Sequence, residues 1–278
     1  MYLFVDQLTN VDFSFLDADR GMVGETWLAN FGLGGSLDHT GMICDFSAVK
    51  RHFREWLDEY LDHRLAVPTL SPALSYRQQG GQIHLTWKSA VGVIEMSAPE
   101  QAVALIPVSE ITPQSCVNWV TNAVKALMPE QVSQIDLEFT TEAIPGSYYH
   151  YTHGLKKHHG NCQRIAHGHR STIGIWHNGE KSPQLEQQWA QQWQDVYIAT
   201  REDIQAETEQ AYQFGYTAPQ GDFVLTMPKA KCYLVDTETT VENIATHIYS
   251  VLKQRHADAN LKVKAYEGFG KGAIAQDR

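Results

Sequence analysis

Apolar residues recur along this chain in two rhythms, and the rhythms predict its elements. Alternation with period two predicts strands over 2–6, 11–16, 22–31, 74–96, 132–140, 212–217, 221–227 and 261–266. Gly80-Gly81 and Pro219-Gln220-Gly221 provide turns within these stretches. Helical spacing takes over after Asp45, a good N-cap. Phe46, Val49, Phe53, Trp56, Leu57, Tyr60 and Leu61 share one face as far as Asp62-His63, and Pro68 prevents continuation. Thr112-Pro113 opens a second helix whose stripe is Trp119, Val120, Ala123, Val124 and Leu127. Ser182-Pro183 opens a third, striped by Leu185, Trp189, Trp193, Val196 and Tyr197. A capping box of Thr239 and Glu242 opens a fourth, running to about Arg255 with Ile244, Ala245, Ile248 and Leu252 inward.

The second half of the chain repeats the plan of the first. Residues 81–86 (GQIHLT) resemble residues 221–226 (GDFVLT), and Ser109–Thr112 before one helix resembles Thr237–Thr240 before another. Each half reads as antiparallel strands with a helix pair on one face, an α+β plan. Pro145-Gly146 is the natural boundary, dividing the chain into 1–145 and 146–278.

One stretch breaks this regularity with chemistry. Residues 148–177 hold seven of the chain's 13 histidines, including the triplet His167-Gly168-His169. On a strand the two imidazoles of that triplet point to the same face. Folding 148–154 back against 171–176 as a hairpin brings His153 beside them. Three neutral imidazoles on one sheet face suit Zn2+ and leave its fourth position open to water or substrate. Cys162, five residues before His167, is placed to approach that open side as a thiolate acid/base rather than as a ligand. The remaining histidines of the stretch read as loop and edge decoration.

Composition narrows the picture without deciding it. The 278 residues carry a formal net charge of −10, which argues against nucleic-acid binding because that calls for a basic face. The four cysteines show no CxxC spacing, so a disulfide framework is not expected. The start MYLFVDQLTN lacks a basic leader and is broken by Asp6, and no run approaches the length of a membrane span. These features together predict a cytoplasmic protein acting on a small molecule.

Several motifs at once resemble the 6-pyruvoyl-tetrahydropterin synthase / 6-carboxy-tetrahydropterin synthase family. They are Tyr151-Thr152-His153, Cys162 followed by His167-Gly168-His169, Asp45-Phe46 through Lys50, Leu61-Asp62-His63, Thr240-Val241-Glu242 and Tyr266-Glu267. The order departs from the family, because the Asp-Phe and Leu-Asp-His motifs precede the histidine hairpin here. The first half has no HGH, Gly24-Glu25-Thr26 standing at its second strand, and the second half has no Leu-Asp-His.

The resemblance implies a tandem fusion of two tunnelling-fold (T-fold) units, each having lost what the other keeps. It further implies 7,8-dihydroneopterin triphosphate as substrate and zinc on His153, His167 and His169. Cys162 and the Asp62-His63 pair become the acid/base groups, Glu267 the pterin anchor, and Thr240 part of the pterin pocket. Lys156, Lys157, Arg164 and Lys271 are candidates for the triphosphate. The expected product is 6-carboxy-5,6,7,8-tetrahydropterin, on the way to queuosine, with the 6-pyruvoyl compound as the alternative. A homo-oligomer with composite active sites is expected, the Asp-His pair serving either its own chain or another. A zinc-stabilised T-fold that binds without catalysis is the reading of a different class.

Overall fold

The computed structural model describes residues 1–277. The first half runs β1 (Tyr2–Asp17), β2 (Gly21–Gly35), α1 (Phe46–Tyr60), β3 (Leu65–Pro68), β4 (Leu74–Gln79), β5 (Gln82–Ser89), β6 (Gly92–Pro99), β7 (Val103–Ile106), α2 (Pro113–Val124) and β8 (Val132–Thr140). The second runs β9 (Tyr148–His153), β10 (His167–His177), β11 (Glu180–Lys181), α3 (Pro183–Gln192), β12 (Val196–Thr200), β13 (Ile204–Glu207), β14 (Ala211–Ala218), β15 (Gly221–Pro228), β16 (Cys232–Val235), α4 (Val241–Arg255), β17 (Leu261–Tyr266) and β18 (Gly272–Gln276). Apart from β11 and β18, the two lists are one list written twice: hairpin, helix, strand, meander, strand, helix, strand.

The sheets repeat as well. The first is ordered β7-β3-β1-β2-β8 and the second β16-β12-β9-β10-β17-β18. In both, the central hairpin is antiparallel and the two strands on one side of it run parallel. The two meanders then join edge to edge into a third sheet, β13-β14-β15-β6-β5-β4. Its central pair β15 and β6 is in register at Leu225 and Met96. The chain is thus an α+β protein of two tandem T-fold units related by a pseudo-two-fold axis. Gly92 and Gly221, with φ of +130° and +133°, begin the two central strands, and each backs onto the proline that ends the other's strand. The structural repeat therefore pairs 92–99 with 221–228, one strand later than the likeness of 81–86 to 221–226. Short Gly-then-alternating segments look alike in sequence, and only strand pairing settles the register.

Local chemistry explains why the helices start where they do. Asp45 accepts from the Ser47 and Ala48 amides at 3.0 and 3.1 Å, and Val49, Phe53 and Leu57 bury one face of α1. Thr112 and Ser115 cap α2 reciprocally. Its buried stripe is Cys116, Val120 and Val124, whereas Leu127 lies beyond the helix and is exposed. The cap of α4 is Thr240, one residue later than Thr239, whose side chain is engaged elsewhere. β1 is one long strand rather than two. A bulge between Val5 and Thr9, with Gln7 at φ +49°, interrupts the alternation without ending the pairing.

Three cores hold the assembly. Two lie between a T-fold sheet and its own helices. The third lies under the meander sheet and takes Leu16, Met22, Trp87 and Met96 from the first unit and Ile165, Tyr197, Phe214 and Leu225 from the second. The two central hairpins also cross at backbone contact. Gly24 and Gly168 occupy the crossing, where a Cβ on either would overlap the Tyr151 carbonyl oxygen. Ser14 and Thr152 share a hydrogen bond of 2.9 Å beside them.

Candidate metal centre and its surroundings

β9 and β10 form the expected hairpin, with His153 paired to His167 and Tyr151 to His169. His167 and His169 project from the same face, and His153 reaches them from the neighbouring strand. One ring nitrogen of each lies within 4.8 Å of the others, and all three residues are at most 1% exposed. Two of the three Nδ1 atoms are already engaged in hydrogen bonds. His153 Nδ1 donates to Thr239, whose carbonyl and hydroxyl oxygens lie at 3.0 and 3.1 Å, and His167 Nδ1 donates to the Arg164 carbonyl at 2.9 Å. His169 Nδ1 has Asp12 Oδ1 at 3.2 Å, somewhat off the line of its N–H. All three Nε2 atoms are buried without a hydrogen-bond partner. Unpaired buried nitrogens cost free energy unless something else satisfies them. Burial, then the neighbouring imidazoles, drives His153 and His167 well below the usual histidine range. Convergent, buried and with their Nε2 atoms unsatisfied, the three imidazoles fit a metal ion.

The accessible side of the cluster is built by both units. After α1, the Asp62 amide closes on the Leu57 carbonyl and His63 takes φ +54°, which turns its ring toward β10. Its ring centroid lies 5.0 Å from that of His167. His63 Nδ1 pairs with the Asp62 carboxylate, and His63, Cys162 and His167 bring one ligating atom each within 4.8 Å of one another. Burial alone would lower the proton affinity of His63. Asp62 and Cys162 outweigh it and push the imidazole up to about 10. The sequence left open whether the Asp-His pair serves its own chain, and here it faces the cysteine and histidines of that same chain. Glu267 lies at the end of β17, with Oε1 3.9 Å from His169 Nε2, and Lys271 approaches it at 4.0 Å.

Other expected residues are placed less directly. Thr240 spends its hydroxyl on capping α4, at 3.4 Å from the Asn243 amide. Lys156 is paired with Asp203 at 2.6 Å and Lys157 with Glu238 at 2.9 Å. Arg164 is buried on Gln220 and on the carbonyls of Asp62 and His63. The wider depressions of the surface lie elsewhere. One of about 650 Å³ sits beside Arg64 and Gln220, and one of about 430 Å³ lies on the outer face of the meander sheet. Two residues carried no signal for this part in the sequence, where Thr239 reads only as a helix cap. Asp12 and Thr239 reach imidazoles 157 and 86 positions away (169 − 12 and 239 − 153), and only the folded chain brings them together.

Residues 146–277 match the model of the family described as 6-pyruvoyl tetrahydropterin synthase. The C-terminal half of the chain belongs to the 6-pyruvoyl tetrahydropterin synthase family. The similar solved structures are enzymes of that name. A catalytic-residue mutant from Plasmodium vivax is 20% identical, and a second structure from the same organism is 18% identical. One from Plasmodium falciparum is 15% identical. Each match covers 50% of this chain and 97% of the other, with a TM-score of 0.37. At that score nothing further rests on the likeness. No curated protein matches the chain.

The synthase-family half carries the triad, and the other half lacks it. Ser14 pairs with Gly24 as Thr152 pairs with Gly168, so Phe15, Val23 and Glu25 stand where His153, His167 and His169 stand. The counterpart of HGH is therefore Val23-Gly24-Glu25, one residue earlier than Gly24-Glu25-Thr26. Asp195, at φ +57°, holds the place of His63, and there it binds Arg20 through paired contacts of 2.6 and 3.0 Å. Among the described residues, only the second unit's hairpin presents the histidine triad.

Proposed function

We propose that this chain converts 7,8-dihydroneopterin triphosphate to a 6-substituted tetrahydropterin, using Zn2+ held by His153, His167 and His169. The observation that carries the reading is the junction itself: three unsatisfied Nε2 atoms face Cys162 and an Asp62-charged His63. A non-catalytic zinc scaffold would not need an acid/base pair at the open side. When bound, the metal supplies Lewis acidity to the side-chain hydroxyls of the pterin.

The chain's own groups do the proton work. Cys162 Sγ takes a proton from a side-chain carbon, and the His63 imidazolium, held charged by Asp62, returns one on the opposite side. Glu267 accepts from the pterin's amino and ring N–H groups, since a carboxylate takes two such bonds at once. We assign Thr240 to the wall of the same pocket. Of the four candidate cations, Lys271 is half exposed beside Glu267 and is the one we assign to the triphosphate. Lys271 also faces Asp12 at 3.3 Å, but it borders the triad and Glu267, whereas Lys156 and Lys157 pair with Asp203 and Glu238 and Arg164 is buried on Gln220. In this reading 1–145 is the unit that supplies Asp62 and His63, and 146–278 supplies the zinc, thiol and pterin sites.

The product we propose is the 6-carboxy compound, formed with loss of acetaldehyde on the route to queuosine. The family description favours a second reading, the 6-pyruvoyl compound. Incubation of the purified chain with dihydroneopterin triphosphate separates them, because acetaldehyde accompanies the carboxy product and not the pyruvoyl one. Cys162→Ala should abolish turnover by at least about 100-fold while keeping the metal. Loss of the metal with the thiol, or unchanged turnover, would count against the assignment. The outer strands β7, β8, β16 and β18 present unpaired edges, and we propose that they close in a homo-oligomer. A purely monomeric sedimentation profile would contradict that.

A further inference from the structure

Asp12 belongs neither to the metal triad nor to the Cys162–His63–Asp62 set, yet it touches both. It lies on β1 of the first unit, 1% exposed. Its Oδ1 stands 3.2 Å from His169 Nδ1 and accepts from Thr26 Oγ1 at 2.5 Å. Its Oδ2 accepts from Asn10 Nδ2 at 3.0 Å and faces Lys271 Nζ at 3.3 Å. Its main chain holds the other partner: the Asp12 amide donates to Asp62 Oδ1 at 2.8 Å, and its carbonyl accepts from the His63 amide at 2.7 Å. A buried carboxylate is costly unless fully paired, and here its partners include His169 and Lys271 beside the site, with Asn10 and Thr26 completing the shell.

The other two candidate ligands are held from within their own unit, by neutral oxygens of Thr239 and Arg164. His169 alone draws its Nδ1 partner from across the unit boundary, and that partner is a carboxylate. A carboxylate on the far nitrogen of a metal-ligating imidazole fixes the tautomer, aims the ring and raises its basicity. At the position related by the pseudo-two-fold axis, the two residue types are exchanged and stand farther apart. His150 replaces Asp12, Glu25 replaces His169, and they stand 4.0 Å apart. An acid and an imidazole from different units thus meet at both places, but His150 Nδ1 gives its hydrogen bond to the Gly24 carbonyl at 2.7 Å, and the close 3.2 Å approach is found only beside the triad.

We propose that Asp12 is a positioning residue. It holds His169 with Nδ1 protonated and Nε2 turned to the metal, and its backbone locks Asp62 and His63 in register with that ring. This rests on the metal reading above and extends it, because it makes the first unit part of the metal centre's second sphere.

The test uses the full chain, stripped of metal and titrated with Zn2+ against a competing chelator, and with Co2+ for its visible spectrum. Asp12→Asn keeps the size and removes the charge. It should weaken Zn2+ binding about 10- to 100-fold and alter the cobalt bands, while the native chain binds one ion tightly. An Asp12→Asn chain with native affinity and an unchanged cobalt spectrum overturns the role of Asp12 and leaves the metal reading standing. A native chain that binds no ion sinks both. Should Asp12→Asn fail to fold, nitrogen NMR of the metal-free native chain decides the matter. An Nδ1-protonated His169 supports the proposal, and an Nε2-protonated one overturns it.

Discussion

Glu25 and His150 occupy the place of a metal site without its ligands, and their protons show what the first unit kept. Burial pushes the Glu25 carboxyl up to about 7, despite the Thr26 amide and the nearby arginines. Burial likewise pushes His150 down to about 4, despite its bond to the Gly24 carbonyl at 2.7 Å. Around pH 6 the pair is thus a neutral acid beside a neutral imidazole. The linkage signs are opposite. Glu25 binds a proton more tightly when folded, so its contribution is full below about 4.5 and is lost as pH rises through about 7. His150 binds one less tightly, so its contribution is present above about 6.5 and is lost as pH falls through about 4. In the native chain the two slopes offset. Glu25→Gln should leave a stability that climbs with pH between 4 and 6.5, and His150→Gln one that declines between 4.5 and 7, each by about 3 kcal/mol. Urea denaturation across that range measures both. Parallel slopes in the two variants would show that the groups do not titrate as described.

The catalytic side asks a different question of single residues. His167→Ala removes one of the three proposed ligands while leaving His153 and His169 in place. Stoichiometric zinc should be lost, with secondary structure retained by circular dichroism, because a tetrahedral site with two protein ligands binds weakly. Zinc kept at one per chain would mean that the ion sits elsewhere.

Elements of this fold are set by contacts of two ranges, and legibility in the sequence follows the range. The HGH triplet, the caps at Asp45, Thr112 and Ser182, and the hairpin 211–228 depend on neighbours within a few positions, so alternation and turn residues reveal them. β18 was not visible: Gly272–Gln276 is short, and its identity as a strand comes from pairing with β17. Asp62-His63 is only a helix-end charge pair on local grounds, and the family likeness alone gave it weight. Asp12 and Thr239, which face the Nδ1 atoms of two proposed ligands, act through the fold, and nothing local marks them for that part. The crossing of the two hairpins is the long-range contact on which the rest turns. A Cβ on Gly168 would lie 2.7 Å from the Gly24 Cα and 2.6 Å from Ser14 Oγ, besides overlapping the Tyr151 carbonyl. Backbone sits on both sides and cannot move aside cheaply. Gly168→Ala should therefore cost about 3 kcal/mol or more and spread His167 from His169. A thermal melt within a degree or two of native, with metal affinity kept, would refute that close packing.

At the scale of the molecule, two units of like topology carry different residues at matching places. The second unit kept three imidazoles and a thiol. The first kept the Leu61-Asp62-His63 corner, while Trp193-Gln194-Asp195 stands at the matching corner of the second. In the proposed site neither unit is complete alone, and the third core is also shared, with Leu16, Met22 and Met96 of one unit meeting Ile165, Tyr197 and Phe214 of the other. Stability and chemistry therefore depend on the same junction. Made separately, 146–278 should expose that shared apolar surface, lose Asp12 from behind His169, and bind zinc more weakly than the whole chain, with no turnover. Adding 1–145 should restore both together, because the junction that buries the core also delivers His63 to Cys162. Chelator competition and product assay on the fragment, alone and after mixing, read the two effects side by side. If 146–278 alone held zinc as tightly as the full chain and turned over the pterin, the first unit would be a passenger, and the composite site would have to be abandoned.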